Sequence, residues 1–242
     1  MGWQWLSVIA LVSAVLFFGC IGQEARDECF YFNGPFSDAK AAAPEGTCLM
    51  TETEGYIAYI PAQVRTGERV PMLAALSPEA DADSMISVLR PTADNLSVVI
   101  VASKESQNGL TAADVFPGYD KLMDDAVATL PVDERRIIFG GMSGGGQASY
   151  IAAYYYPERV RGVITNCGKI MPEMKDGGFP HGKLVVFLAS ETDFNYDVMK
   201  EDKGYLEALG WRTHWIEFEG GHALAPPETY LEATTWLLKA MG

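Results

Sequence analysis

Residues 137 to 146, Ile-Ile-Phe-Gly-Gly-Met-Ser-Gly-Gly-Gly, restrict this chain to a small set of folds. An apolar run that reads as a buried strand stops at Gly141-Met142-Ser143-Gly144-Gly145, and Gln147 to Tyr154 continues as a helix. A serine on so sharp a strand-to-helix turn stands clear of the sheet edge. Glycines flank it because a Cβ at those positions would collide with neighbouring backbone.

Such an elbow predicts two partners further along, an acid after a later strand and a histidine after the next. Lys183 to Ser190 is a β-rich run, and Glu191-Thr192-Asp193 follows it directly. Arg212 to Phe218 reads as the next strand, closed by Glu219-Gly220-Gly221-His222. Ser143, Asp193 and His222 therefore all fall at strand C-terminal ends, where open α/β sheets place their sites. The chain has three histidines. His214 sits mid-strand and reads as structural, His181 lies in a Pro/Gly-rich loop, and His222 is the candidate base. For the acid, Glu191 and Asp197 compete with Asp193. Asp197 falls in the first turn of the following helix, where a carboxylate complements the dipole.

The order serine, acid, histidine with these spacings resembles the α/β-hydrolase superfamily from about residue 55 to 240. Size and the absence of an inserted cap look most like its dienelactone hydrolase and phospholipase/carboxylesterase/thioesterase branches. The resemblance implies an α/β fold, a mostly parallel central sheet with helices on both faces and no lid domain. It also implies that His222 takes the Ser143 proton during attack, with Asp193 orienting the imidazole. The oxyanion of the resulting intermediate needs two donors, and the Gly144 amide, next after the nucleophile, is one. Relatives take the second from a His-Gly-x-Gly-like loop after an earlier strand. Here that loop is Ser77-Pro78-Glu79-Ala80; Pro78 has no amide hydrogen, so spacing points to Glu79. No obvious candidates stand out for the cations that a dienelactone site needs to hold a carboxylate substrate, which favours neutral esters or thioesters. No metal-ligand spacing and no phosphate-binding loop occurs in the sequence, so no cofactor and no metal are expected.

Alternating strand and helix patterns run from Gly55 to the C-terminus, and residues 55–242 are read as the catalytic domain. Strands are expected at 55–61, 71–76 and 96–102. Ala82 to Leu96 has helical periodicity with Pro91 as a kink or break, and a second helix is expected from Tyr119 to Leu130. Ser103 to Gly118 reads as a polar loop forming one wall of the site. Only about a dozen residues separate Gly168 from Gly182, which predicts an open cleft. Phe194, Tyr196, Met171 and Met174 are candidates for lining an acyl pocket.

Upstream, residues 21–54 read as a linker and pre-core segment. Leu6 to Phe18 has the length of a signal-peptide core, and Gly19-Cys20 resembles the end of a lipobox, in which Cys20 would be acylated. An uncleaved anchor helix and plain cleaved secretion are the alternatives, Trp3 to Ile21 being almost long enough to span a bilayer. The expectation is a cell-envelope, extracytoplasmic domain tethered to a membrane. Cys29 and Cys48 would pair in an oxidising compartment, while Cys167 reads as a small buried hydrophobe in a central strand. A net charge of −14 argues against nucleic acid and anionic lipid as partners. The expected partner is a small-molecule or acyl ester substrate. A peptidase or acyltransferase using the same residues, and a catalytically silent binding lipoprotein, stand as alternatives because fold does not fix function.

Overall fold

A computed structural model describes residues 28–242; the apolar N-terminal segment and Cys20 lie outside the described residues. The described chain contains one nine-stranded sheet. Its strands are β1 (Phe30–Tyr31), β2 (Leu49–Glu52), β3 (Tyr56–Ile60), β4 (Val70–Leu76), β5 (Val99–Ser103), β6 (Val132–Met142), β7 (Val160–Asn166), β8 (Leu184–Ala189) and β9 (Arg212–Glu217). In space they run β1-β2-β3-β5-β4-β6-β7-β8-β9. Every neighbouring pair is parallel except β2 with β3 and β3 with β5.

The side-chain period of two on each strand feeds two separate cores. On β4, Met72, Ala74 and Leu76 enter one core, and Leu73 and Ala75 the other. On β8, Val185, Phe187 and Ala189 alternate in the same way with Leu184, Val186 and Leu188. Helices α2 (Ala82–Leu96) and α7 (Pro227–Met241) cover one face through Met85, Ile86, Leu89, Tyr230, Ala233 and Leu237. The other face carries α1 (Phe36–Ala42), α3 (Ala112–Thr129), α4 (Gly144–Tyr155), α5 (Pro172–Asp176) and α6 (Tyr196–Ala208). Strands buried on both sides match the near-continuous apolar runs of the sequence.

Three expectations are corrected. Residues 28–54 are not a linker: β2 pairs along its whole length with β3, and a disulfide joins Cys29 to Cys48. The Thr53 hydroxyl accepts hydrogen bonds from the amides of Gly55 and Tyr56 (3.2 and 3.1 Å), so the segment 53–55 is a hairpin turn joining β2 to β3. Of the kink or break expected at Pro91, the break does not occur: α2 runs through it. Proline costs about 3 kcal/mol in a helix interior, less than the burial of Met85, Ile86, Leu89 and Ala93 supplies on this helix's inner face. Helix α3 begins at Ala112, where Thr111 and Asp114 form a reciprocal capping box, and it continues through Pro117 in its second turn.

Candidate active site

The elbow is built by close backbone packing. A Cβ on Gly145 would lie 2.1 Å from the Leu76 carbonyl oxygen, and one on Gly141 would lie 2.5 Å from the Gly145 carbonyl carbon. No other residue fits either position, which explains the spacing of the two glycines around Ser143. Ser143 itself is held at φ 53°, ψ −115°, a strained conformation for a non-glycine residue. Two hydrogen bonds hold it there, from its own amide to the Asn166 carbonyl (2.7 Å) and from the Gln147 amide to its carbonyl (3.0 Å).

The three residues expected to act together do meet. His222 Nε2 lies 2.8 Å from Ser143 Oγ, and His222 Nδ1 lies 2.6 Å from Asp193 Oδ2. The Asp193 side chain is fully buried, whereas that of His222 is a quarter exposed. This asymmetry leaves the base reachable and shields the acid from water. The Asp193 carboxylate also accepts the Asn195 amide hydrogen, and the Asn195 carboxamide in turn donates to the Cys167 carbonyl at 2.9 Å. With a carboxylate at Nδ1, the ring carries its proton there and offers Nε2 to the serine hydroxyl. The competitors for the acid lie elsewhere: Glu191 is exposed and Asp197 sits in the first turn of α6.

Gly144 opens α4, so its amide is among those without an intrahelical partner. Glu79 is a correction. Its amide hydrogen goes to Ser77 Oγ (3.2 Å), and its backbone bridges to Gln107. A short turn hydroxyl satisfies the donor that spacing assigned to the oxyanion.

Two further residues carry the site, Asn166 with no signal in the sequence and Cys167 with only its burial legible there. Asn166, at the end of β7, is fully buried. Its Oδ1 accepts from the Ala225 amide (2.8 Å) and the Tyr230 hydroxyl (2.9 Å), and its Nδ2 donates to the Ala223 carbonyl (3.2 Å). One side chain thereby pins the turn that carries His222. Cys167 follows β7 instead of lying within it, at φ 52°. It touches Asp193, and burial first, then the hydrogen bond and charge of Asp193, push its thiol up to about 12. Cys167 Sγ, an Asp193 oxygen and a His222 ring nitrogen lie within 4.8 Å of one another. A soft ion such as zinc suits those donors, but it would have to displace both the thiol proton and the His222–Asp193 hydrogen bond.

Of the residues expected to line an acyl pocket, only Phe194 reaches the site. Its ring lies 4.1 Å from that of His222, and the residue is 75% exposed. Met174 is buried in the core, Met171 packs on that core, and the Tyr196 hydroxyl binds Glu217. His214 stacks on Trp236, and His181 is exposed. Among the described residues no lid covers the cleft; the 168–182 stretch holds only the short helix α5.

The sheet order, the elbow after β6 and the open helical layers are those of the α/β-hydrolase fold. Among solved structures, the chain is similar to an S-formylglutathione hydrolase from Agrobacterium tumefaciens (TM-score 0.62, 13% identity, 83% of this chain and 98% of that one). It is also similar to the Staphylococcus aureus S-formylglutathione hydrolase (TM-score 0.61, 10% identity, 80% and 94% covered). A Bacillus cereus carboxylesterase matches with a TM-score of 0.55 at 18% identity, over 71% of this chain and 89% of that one. Identities this low establish the shared fold. No protein-family model matches the chain, and no curated protein matches its sequence.

Proposed function

We propose that the chain is a serine hydrolase that cleaves carboxylic ester or thioester bonds through an acyl-enzyme on Ser143. The observation that carries this reading is the unbroken run Ser143 Oγ–His222 Nε2 (2.8 Å) and His222 Nδ1–Asp193 Oδ2 (2.6 Å) on a strained elbow. A serine hydroxyl is a weak nucleophile until a base takes its proton during attack. His222 takes that proton and returns it to the leaving group, and Asp193 stabilises the imidazolium in between. Water activated by the same ring then releases the acyl group. The Gly144 amide and the N-terminus of α4 face the developing oxyanion.

A fluorophosphonate probe tests the class. Wild-type protein should be labelled and Ser143→Ala should not; folded wild-type protein that resists the probe would exclude a serine hydrolase. A series of p-nitrophenyl esters of increasing chain length, with one thioester, then sets the acyl preference.

The tether belongs to the same proposal. The Leu6–Phe18 run ending in Gly19-Cys20 supports a lipid-anchored, extracytoplasmic enzyme, and the Cys29–Cys48 disulfide suits an oxidising compartment. Cys20→Ser should accumulate as an unprocessed, unlipidated precursor. Unchanged mass and membrane location would favour an uncleaved anchor, and release of wild-type protein into the medium would exclude a tether.

A further inference from the structure

We propose that Asn108, on the loop after β5, supplies the second, side-chain donor of the oxyanion hole. This rests on the serine hydrolase reading. In the loop after β4, Pro78 has no amide hydrogen and the Glu79 amide donates to Ser77 Oγ.

The loop after β5 brings a side chain to the same place. It is fastened to the loop after β4 by two backbone hydrogen bonds, Ala80 amide to Ser106 carbonyl (3.0 Å) and Asn108 amide to Pro78 carbonyl (2.8 Å). These bonds, with the Glu79–Gln107 bridge, fix where the Asn108 side chain starts. Its carboxamide lies against the Cα of Gly144: a Cβ added there would fall 1.8 Å from Asn108 Oδ1 and 3.0 Å from its Cγ. By covalent geometry the end of the carboxamide is therefore within about 4.3 Å of the Gly144 nitrogen. An atom hydrogen-bonded to both groups, about 3 Å from each, fits between them. A half-turn about χ2 exchanges Oδ1 for Nδ2 and aims an N–H at that point. A developing oxyanion selects that orientation, because the carbonyl end would repel it.

The same contact explains the residue after the nucleophile. Gly144 is not at positive φ, and the next atom its Cβ would meet after the carboxamide is Pro78 Cβ at 3.6 Å, an ordinary contact. What opposes a side chain at 144 is Asn108.

The test reads the rate at which a fluorophosphonate labels Ser143, which needs no knowledge of the natural substrate, and kcat and KM on a p-nitrophenyl ester. Asn108 is exposed, so its variants should fold, and thermal melting checks this. Asn108→Ala should lower kcat and the labelling rate about 10²-fold with KM within a few-fold, and Asn108→Asp should lower them further. Gly144→Ala keeps the backbone amide but displaces the carboxamide. It should cost a similar factor alone and little more in an Asn108→Ala background, since the two changes remove one interaction. Asn108→Ala within about threefold of wild type, or full additivity of the pair, would overturn the assignment while labelled wild type leaves the serine hydrolase reading standing. Failure of wild type to label would end both.

Discussion

The main-chain carbonyl of Asn166 accepts the amide hydrogen of Ser143 at 2.7 Å, so Ser143 hangs from the neighbouring strand by the residue whose carboxamide pins the His222 turn. Serine and histidine, far apart in sequence, are set against each other by one buried asparagine. Asn166→Ala should strand the Ala225 amide, the Ala223 carbonyl and the Tyr230 hydroxyl. Each orphaned buried group costs about 1–3 kcal/mol. Chemical denaturation should show at least about 2 kcal/mol lost, and kcat should fall more than KM rises. An Asn166→Ala enzyme with unchanged kcat would remove this residue from the positioning of His222.

Cys167 should be silent to thiol reagents in the folded protein. It is buried, and its thiol is held up to about 12 by burial and by Asp193. At pH 8 almost none is thiolate, and the thiolate is the reactive species. A disulfide exchange reagent should report no free thiol until denaturant is added. Rapid reaction under native conditions would contradict the contact with Asp193.

Asp202 governs a different pH dependence. Its fully buried carboxylate faces Lys175 Nζ and accepts the Ile170 amide at 2.7 Å. Burial raises its carboxyl above the ordinary value, partly offset by hydrogen bonds from Lys175 and Ile170. A raised folded-state value means this group's contribution to stability is fully present below the unfolded-state value. It is lost as pH rises through the folded-state one. Asp202→Asn cannot ionise, so its stability relative to wild type should improve as pH climbs from the ordinary carboxylate value upward. Asp202→Ala should lose about 3 kcal/mol, because it leaves Lys175 and the Ile170 amide unpaired. Denaturation curves at several pH values check both.

Phe194 should matter for binding more than for proton transfer. Its ring packs at 4.1 Å on His222 and is otherwise open to solvent. Aromatic pairs of this kind are worth about 0.5–1.5 kcal/mol, so Phe194→Ala should lower kcat/KM about 3- to 10-fold. The loss should be larger for bulky apolar esters than for acetate. Equal loss for every ester would mean the ring only steadies the imidazole.

What could be read from the sequence was local. The elbow declares itself because its glycines fall on one short strand-to-helix turn, even though the atom that forces them, the Leu76 carbonyl oxygen, belongs to β4; the apolar runs of β4 to β8 follow from burial on both faces. Thr111-x-x-Asp114 is a local helix-start signal inside the segment that reads as a loop. Leu49-Met50-Thr51 was too short to read as a strand before its partner β3 was in place. Asn166 and Asn108 carried no signal, and for Cys167 burial was legible but its contact with Asp193 was not, since these roles come from contacts with distant segments. The Glu79 assignment failed for a related reason: spacing from a strand counts residues but does not say which amide a nearby hydroxyl has already taken.

The disulfide between Cys29 and Cys48 has a mechanical meaning for any chain pulled from its N-terminal side. Cys48 directly precedes β2, which is hydrogen-bonded along its length to β3, whereas β1 contributes only two residues to the sheet. Load arriving at Cys29 therefore passes through sulfur into β2 and on into the sheet, bypassing β1 and α1 altogether. The short edge formed by β1 and α1 lies inside the loop that the disulfide closes, off that path, and the cleft sits at the opposite ends of the strands.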